Sequence, residues 1–136
     1  MDTIGMNIIM DTHIFYWYVN QIDDRLPKSI KNQLDNADRL FVSSATCFEM
    51  SWLVQKGRIE LNIPYLTWFD RVQNYTDIEF LDITPQIAHV ATALPEHHKD
   101  PMDRLIIATS IIYECYLASV DTKFPLYNEL KGRLIS

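Results

Sequence analysis

Short apolar runs alternate along the chain with longer stretches that have helical periodicity. Four runs have the length and composition of buried strands, and they lie at residues 7–10, 40–42, 78–81 and 116–120. Six stretches repeat their apolar positions every three or four residues, at residues 12–20, 27–37, 45–56, 65–74, 85–94 and 101–113. This alternation predicts an α/β fold in which helices cover both faces of a central parallel sheet.

Capping residues mark several of the helix boundaries. Ser44 is the predicted N-cap of the third helix, and Gly57 the predicted stop after it. Thr84 and Asp100 each precede a proline, which predicts an N-cap followed by proline in the first turn.

The composition is that of one globular domain spanning residues 1–136. With 48% hydrophobic and 22% charged residues, whole-chain disorder is excluded. No apolar run reaches the roughly 18 residues that span a bilayer, and the two cysteines lack metal-site spacing. We therefore expect a soluble, cytoplasmic protein with core thiols. The net charge of −6 opposes broad binding to a phosphate backbone, so nucleic-acid recognition needs local cations.

Two of the predicted strands are followed by an aspartate and then a threonine. Asp11 and Thr12 follow the first strand, and Asp121 and Thr122 follow the fourth. Ligand sites of parallel sheets lie beyond the carboxyl ends of the strands, so these carboxylates are candidate site residues. The structural alternative is that each aspartate forms a helix N-cap or an Asx turn.

Two further acids lie on predicted helices. Glu49 lies on an apolar stripe, where a carboxylate requires a proton, a base or a metal as partner. The alternative is an ion pair with Lys56 or Arg58 at the helix edge. Asp103 opens an apolar helix that must be central, and we expect it to face the site while Asp100 caps the helix.

A cluster of four carboxylates destabilises a fold unless a cation compensates their charge. Oxygen ligands without cysteine or paired histidine ligands favour Mg²⁺ or Mn²⁺ over zinc. Such sites support phosphoryl transfer with water as nucleophile.

The acidic motifs of this chain resemble those of PIN-domain ribonucleases, and most closely those of the VapC-type toxins of toxin–antitoxin pairs. The resemblance rests on residues 9–13, 42–49, 98–108 and 119–124. It implies a three-layer sandwich around a parallel sheet and a Mg²⁺- or Mn²⁺-dependent endoribonuclease activity. It also implies RNA as substrate, inhibition by a cognate antitoxin, and a homodimer.

The resemblance also assigns site residues. The family's acidic quartet, catalytic and metal-binding, falls on four positions: Asp11, Glu49, Asp103 and Asp121. Supporting or substrate-contacting roles fall on five more: Thr12, Asp100, Arg104, Thr122 and Lys123. The threonines are expected to orient water or phosphate, and the basic residues, with Lys99, to form a cationic rim. The family's first motif usually starts close to the chain start, so Met6 is an alternative start.

Histidines and aromatic residues add competing interpretations. His97 and His98 are expected to be solvated loop residues, although two histidines also suit a metal-free ribonuclease that uses the 2′-hydroxyl of RNA. His13 is a candidate substrate contact. Residues 15–18 are all aromatic and cannot share one helix face. Two are expected in the core and the others on a partner or dimer surface, with base stacking as an alternative.

Two other classes of protein compete with the nuclease. A phosphoacceptor receiver or phosphatase would use Asp11 as nucleophile, but His13 stands where the phosphatase needs a second acid. A catalytically inactive PIN-like RNA- or protein-binding module is the remaining alternative, and the complete quartet speaks against it.

Overall fold

The computed structural model describes residues 6–136, which form five strands, six α-helices and two short 3-10 helices, Phe124–Leu126 and Asn128–Leu130. The strands are β1 (Asn7–Met10), β2 (Arg39–Ser43), β3 (Glu79–Leu81), β4 (Tyr116–Ala118) and β5 (Leu134–Ile135). The helices are α1 (Thr12–Val19), α2 (Lys28–Asp35), α3 (Ser44–Gln55), α4 (Tyr65–Tyr75), α5 (Pro85–Ala93) and α6 (Pro101–Ile112). The question of a start at Met1 or Met6 concerns residues 1–5, which lie outside the described residues.

The strands form one parallel sheet in the order β3-β2-β1-β4-β5. Central β1 pairs on one side with β2 and on the other with β4, so that Ile9 lies between Phe41 and Leu117. The chain places β2 and β3 on one side of β1, and then β4 and β5 on the other side. A reversal of this kind, here between β1 and β4, opens a crevice at the carboxyl ends of the strands.

Alternate residues of the central strands face opposite layers. Ile8 and Met10 pack into a core with residues of α1, α2, α3 and α4, whereas Ile9 packs into a second core with α6. These side chains are fully buried because helices cover both faces of a parallel sheet. The predicted α/β class and three-layer sandwich are therefore confirmed.

The ten predicted elements agree with the structure to within two residues at every boundary. β4 ends at Ala118, so the predicted strand over residues 116–120 is too long. The short edge strand β5 was not predicted, because two residues carry no detectable periodicity. Ser43, not Ser44, is the N-cap of α3, since its hydroxyl accepts a hydrogen bond from the Ala45 N–H at 3.0 Å.

The other predicted boundary signals are confirmed. Thr84 and Asp100 cap α5 and α6, each with a proline in the first turn. Gly57 follows α3 with a φ of +70°, a conformation that glycine adopts without strain. Cys115 is a buried thiol as expected, and Cys47 is half-buried. Among residues 6–136, no helix has both the length and the apolar character needed to cross a membrane.

Arg104 ties together the loop that joins α5 to α6. Its three guanidinium nitrogens donate hydrogen bonds to five backbone carbonyls, those of Ala91, Thr92, Leu94, Pro95 and His98. Some of these carbonyls belong to the last turn of α5. Carbonyl groups in the last turn of a helix have no hydrogen-bond donors within that helix. Of the two roles predicted for Arg104, supporting or substrate-contacting, these hydrogen bonds favour the supporting one, because its donors already serve the loop.

Replacing Arg104 by lysine should therefore destabilise the fold. An ammonium group cannot reach five carbonyls, and we expect the free energy of unfolding to fall by about 1–3 kcal/mol in urea titrations. Exposed Lys99 lies in the same loop, and Lys99→Ala should change it by less than about 0.5 kcal/mol. Equal stability of Arg104→Lys and the unmodified protein would contradict this role.

Candidate active site

A cavity of about 460 Å³ opens at the carboxyl edge of the sheet, beside the ends of β1 and β4. Five acidic side chains line it: Asp11, Glu49, Asp100, Asp103 and Asp121. The structure thus brings all four members of the predicted acidic quartet to one cavity, from four separate segments of the chain.

Asp11 is the most buried of these acids, with 6% of its surface exposed. Its Oδ1 accepts a hydrogen bond from the Ile14 N–H at 2.9 Å as the N-cap of α1, and its Oδ2 accepts one from the Ser119 hydroxyl at 2.5 Å. Burial raises the pKa of Asp11 to about 6, while these two hydrogen bonds oppose the rise. The N-cap of α1 and the candidate site residue are therefore the same side chain.

Glu49 reaches the cavity from α3 and is held there by Thr12. The Thr12 hydroxyl donates to Glu49 Oε1 and lies 3.2 Å from the hydroxyl of Thr46. Since a hydroxyl has one proton, Thr46 must donate to Thr12. Thr12 is buried and orients the carboxylate, whereas the sequence suggested that it orients water or phosphate. No ion pair of Glu49 with Lys56 or Arg58 occurs among the described residues; Lys56 instead lies over the Trp52 ring.

Asp103 and Asp121 meet at the imidazole ring of His98. The His98 Nε2 lies 2.9 Å from Asp103 Oδ2 and 3.0 Å from Asp121 Oδ2. Burial, followed by repulsion from the neighbouring carboxylates, raises the pKa of Asp103 to about 8. The site therefore concentrates more negative charge than its surroundings can solvate.

The flanking residues take mainly structural positions. Asp100 caps α6 through a 2.9 Å hydrogen bond from the Met102 N–H and also reaches the cavity. Asp121 Oδ1 accepts a hydrogen bond from the Lys123 N–H at 2.7 Å, which closes the Asx turn considered for it. Thr122 and Lys123 are exposed and are not among the residues that line the cavity.

The expectation that both adjacent histidines are solvated is wrong for His98. Its surface is 9% exposed, and it contacts two acids of the predicted quartet. One feature of the sequence could have indicated this position: His98 lies five residues before Asp103, at the start of the third motif. His97 is exposed as expected.

Sequence reasoning also missed Ser119 and Arg25. The Ser119 hydroxyl donates to Asp11 and accepts a 3.0 Å hydrogen bond from the Asp121 N–H, so it joins the ends of β1 and β4. Arg25 lines the cavity together with His13 and Trp17. Nothing in the sequence near Arg25 indicates this, because it precedes α2 and is far in sequence from every acidic motif.

The exposed aromatic surface lies on α3 rather than on α1. Phe15 is fully buried, and residues 16–18 are half-buried against the core. Phe48 and Trp52 are 63% and 51% exposed and border a second cavity beside Glu49. The prediction of an exposed aromatic patch on the first helix is therefore corrected.

The donor set fits a hard divalent cation. The four quartet members supply only carboxylate oxygens. Burial raises the pKa of both Asp11 and Asp103, and repulsion from neighbouring carboxylates adds to the rise, most of all at Asp103. Hard oxygen ligands of this kind suit Mg²⁺ or Mn²⁺. His98 Nε2 and oxygens of Asp103 and Asp121 also lie within 4.8 Å of one another, close enough for one ion.

Fold and site together define an α/β protein with a carboxylate-lined cavity at the reversal point of a parallel sheet. Residues 8–130 match the family model of the PIN domain. Ribonuclease VapC22 of Mycobacterium tuberculosis (strain ATCC 25618 / H37Rv) is 34% identical over 117 residues, which are 85% of this chain and 88% of that protein. The chain belongs to the PIN-domain family, and the resemblance found in its motifs is confirmed.

Solved structures share the fold at low sequence identity. VapBC2 from Rickettsia felis, bound to a DNA fragment from its promoter, contains a chain with a TM-score of 0.70 and 19% identity, covering 96% of this chain and 98% of that one. DNA-bound VapBC from Salmonella typhimurium has a TM-score of 0.66 and 17% identity, covering 96% and 97%.

The raised pKa of Asp103 makes stability depend on pH in cation-free protein. Between about 3.8, its ordinary value, and about 8, its folded value, the folded state holds a proton that the unfolded chain has lost. The free energy of unfolding should therefore fall as the pH rises through this range. Asp103→Asn, which cannot ionise, should flatten the slope in urea titrations with chelator.

The matched control for this measurement is Asp70→Asn on α4, since Asp70 is exposed and absent from the cavity lining. A slope that Asp103→Asn leaves unchanged, or that Asp70→Asn flattens equally, would refute the assignment.

Proposed function

We propose that this protein is a metal-dependent endoribonuclease that acts as the toxin of a toxin–antitoxin pair. The observation that carries the proposal is the meeting of Asp11, Glu49, Asp103 and Asp121 at one cavity. The name of its relative, Ribonuclease VapC22, supports RNA cleavage as the activity. The structural neighbours from VapBC assemblies support a toxin with an antitoxin partner.

The four carboxylates are the residues that would hold Mg²⁺ or Mn²⁺. Such an ion lowers the pKa of water and stabilises the negative charge that develops on a phosphate during hydrolysis. The hydrogen bonds to Asp11 from Ser119 and Ile14 leave little freedom of rotation for its carboxylate. Thr12 restricts Glu49 in the same way. Orientation before substrate binds reduces the reorganisation needed during the reaction.

RNA must approach this negative cavity against the overall charge of −6. Arg25 lines the cavity and is exposed, so its guanidinium is the cation suited to contact a phosphate beside the acids. Lys99 and Lys123 are exposed on the loops that carry the third and fourth motifs, and they supply the remaining positive rim. Arg25 thus takes the role that the sequence suggested for Arg104.

Cleavage should depend on the ion and on the acids that hold it. Chelator should abolish the cleavage of single-stranded RNA, and Mg²⁺ or Mn²⁺ should restore it. Water as nucleophile should leave 5′-phosphate and 3′-hydroxyl ends. Asp11→Asn and Asp103→Asn remove ligand charge at constant size and should lower the rate at least about 100-fold, because stabilisation of transition-state charge by a metal is worth several kcal/mol.

Asp70→Asn serves as the matched control and should cleave at the unmodified rate. Cleavage that survives chelation and yields cyclic phosphate would assign the chemistry to the 2′-hydroxyl of RNA and overturn the proposal. Folded protein that binds RNA but cleaves none, with or without cations, would favour the inactive binding module.

The toxin assignment predicts a partner encoded beside this gene. A basic segment of that small protein should cover the acidic cavity, with an arginine or lysine in place of the ion, because a cationic side chain also compensates the carboxylates. Co-expression should yield a stable complex in which RNA cleavage is suppressed. Failure of the two proteins to associate would remove the toxin assignment and leave the nuclease standing. The homodimer stays a prediction, to be measured by light scattering.

A further inference from the structure

His98 is held in place independently of the acids that it contacts. Its backbone N–H donates to the Tyr127 hydroxyl at 2.9 Å, and its carbonyl accepts from Arg104 at 3.1 Å. Its ring lies edge-on to Phe124, with 5.9 Å between the ring centroids. Tyr127 and Phe124 are themselves buried, with 1% and 0% exposure. The imidazole therefore has a fixed position at the wall of the cavity.

The hydrogen bonds of the ring determine where its proton lies. The backbone N–H of Asp100 lies 3.3 Å from His98 Nδ1 and can only donate, so Nδ1 must be an unprotonated acceptor. A neutral imidazole in this position carries its proton on Nε2. That single N–H points between two carboxylate oxygens, at 2.9 Å from Asp103 and 3.0 Å from Asp121.

Without this donor, two carboxylates from different elements would approach each other with nothing between them. Asp103 lies on the first turn of α6, and Asp121 lies in the loop after β4, so the two acids reach the ring from different elements. Once both acids are ionised, like charges at such a distance repel.

We propose that His98 is a positioning residue, which holds Asp103 and Asp121 together through one shared Nε2–H so that they can receive the cation of the proposed nuclease. That the two acids are held together in order to bind a cation rests on the proposed function. It does not make His98 a ligand. Direct coordination by Nε2 would transfer the proton to Nδ1, where it would face the Asp100 N–H, and two donors would then oppose each other.

The proton position can be measured on the unmodified protein. Nitrogen-15 NMR of the imidazole ring distinguishes a proton on Nε2 from one on Nδ1, and Mg²⁺ is diamagnetic, so the spectrum can be recorded with and without it. We expect the Nε2–H form in both states. A proton on Nδ1 in either state would overturn the proposal, and its appearance with Mg²⁺ would identify His98 as a ligand.

The effect on cation binding can be measured by calorimetry with Mn²⁺. Partners that hydrogen-bond to metal ligands typically contribute 10- to 100-fold in affinity, so His98→Ala should weaken Mn²⁺ binding by about that factor. His98→Gln keeps an N–H donor near the position of Nε2 and should recover most of the loss. His89→Ala, an exposed histidine on α5, is the matched control and should bind Mn²⁺ normally.

Unchanged Mn²⁺ affinity in folded His98→Ala would overturn the positioning role, as would equal losses in His98→Ala and His98→Gln. Circular dichroism establishes that each variant is folded. If His98→Ala does not fold, the NMR measurement and His98→Gln decide the question. If the unmodified protein binds no Mn²⁺ and cleaves no RNA, the proposed function fails, whereas the NMR result on cation-free protein still tests the shared N–H.

Discussion

Repulsion among carboxylates is the physical constraint on which the site depends. Asp11, Glu49, Asp103 and Asp121 line one cavity, where burial removes much of the water that would screen them. The chain meets this constraint with hydrogen-bond partners: Ser119 serves Asp11, Thr12 serves Glu49, and the His98 ring serves the other two. The two hydroxyl groups orient their acids but add no positive charge, so a cation would still stabilise the cavity.

The parallel sheet makes this crowding possible without disturbing the core. Its apolar residues lie below the carboxyl edge, and Ile8, Ile9 and Met10 are fully buried one to three residues before Asp11. A fold with rigid strands can therefore hold charges at their ends that a flexible loop could not keep together. Stability given up at a site in this way is characteristic of functional residues, because the rest of the structure compensates for it.

Several residues combine a structural role with a position in the cavity. Asp11 is the N-cap of α1, Asp100 is the N-cap of α6, and Asp121 closes an Asx turn, yet all three line the cavity. The two interpretations that competed at the level of sequence, a cap or turn and a position at the site, therefore do not exclude each other. A cap fixes the carboxylate in one orientation, which is also what a metal ligand requires. Arg104, in contrast, has a structural role without a position in the cavity, because its five carbonyl partners hold it in the loop.

The local sequence pattern determined those structural features that depend only on neighbouring residues in the chain. The helices, four of the strands, the proline-associated caps and the acids at the strand ends all follow from periodicity and residue type, because these features arise within a few residues. Only the tertiary structure decided which polar groups meet. His98 and Asp121 are 23 residues apart, and Ser119 and Asp11 are 108 apart, so no local signal records their contact. Packing likewise decided that residues 134–135 form β5 and that Arg25 lines the cavity. Hydrogen bonds between distant segments depend on distances that only the folded chain creates, and they turn a set of acidic motifs into a site.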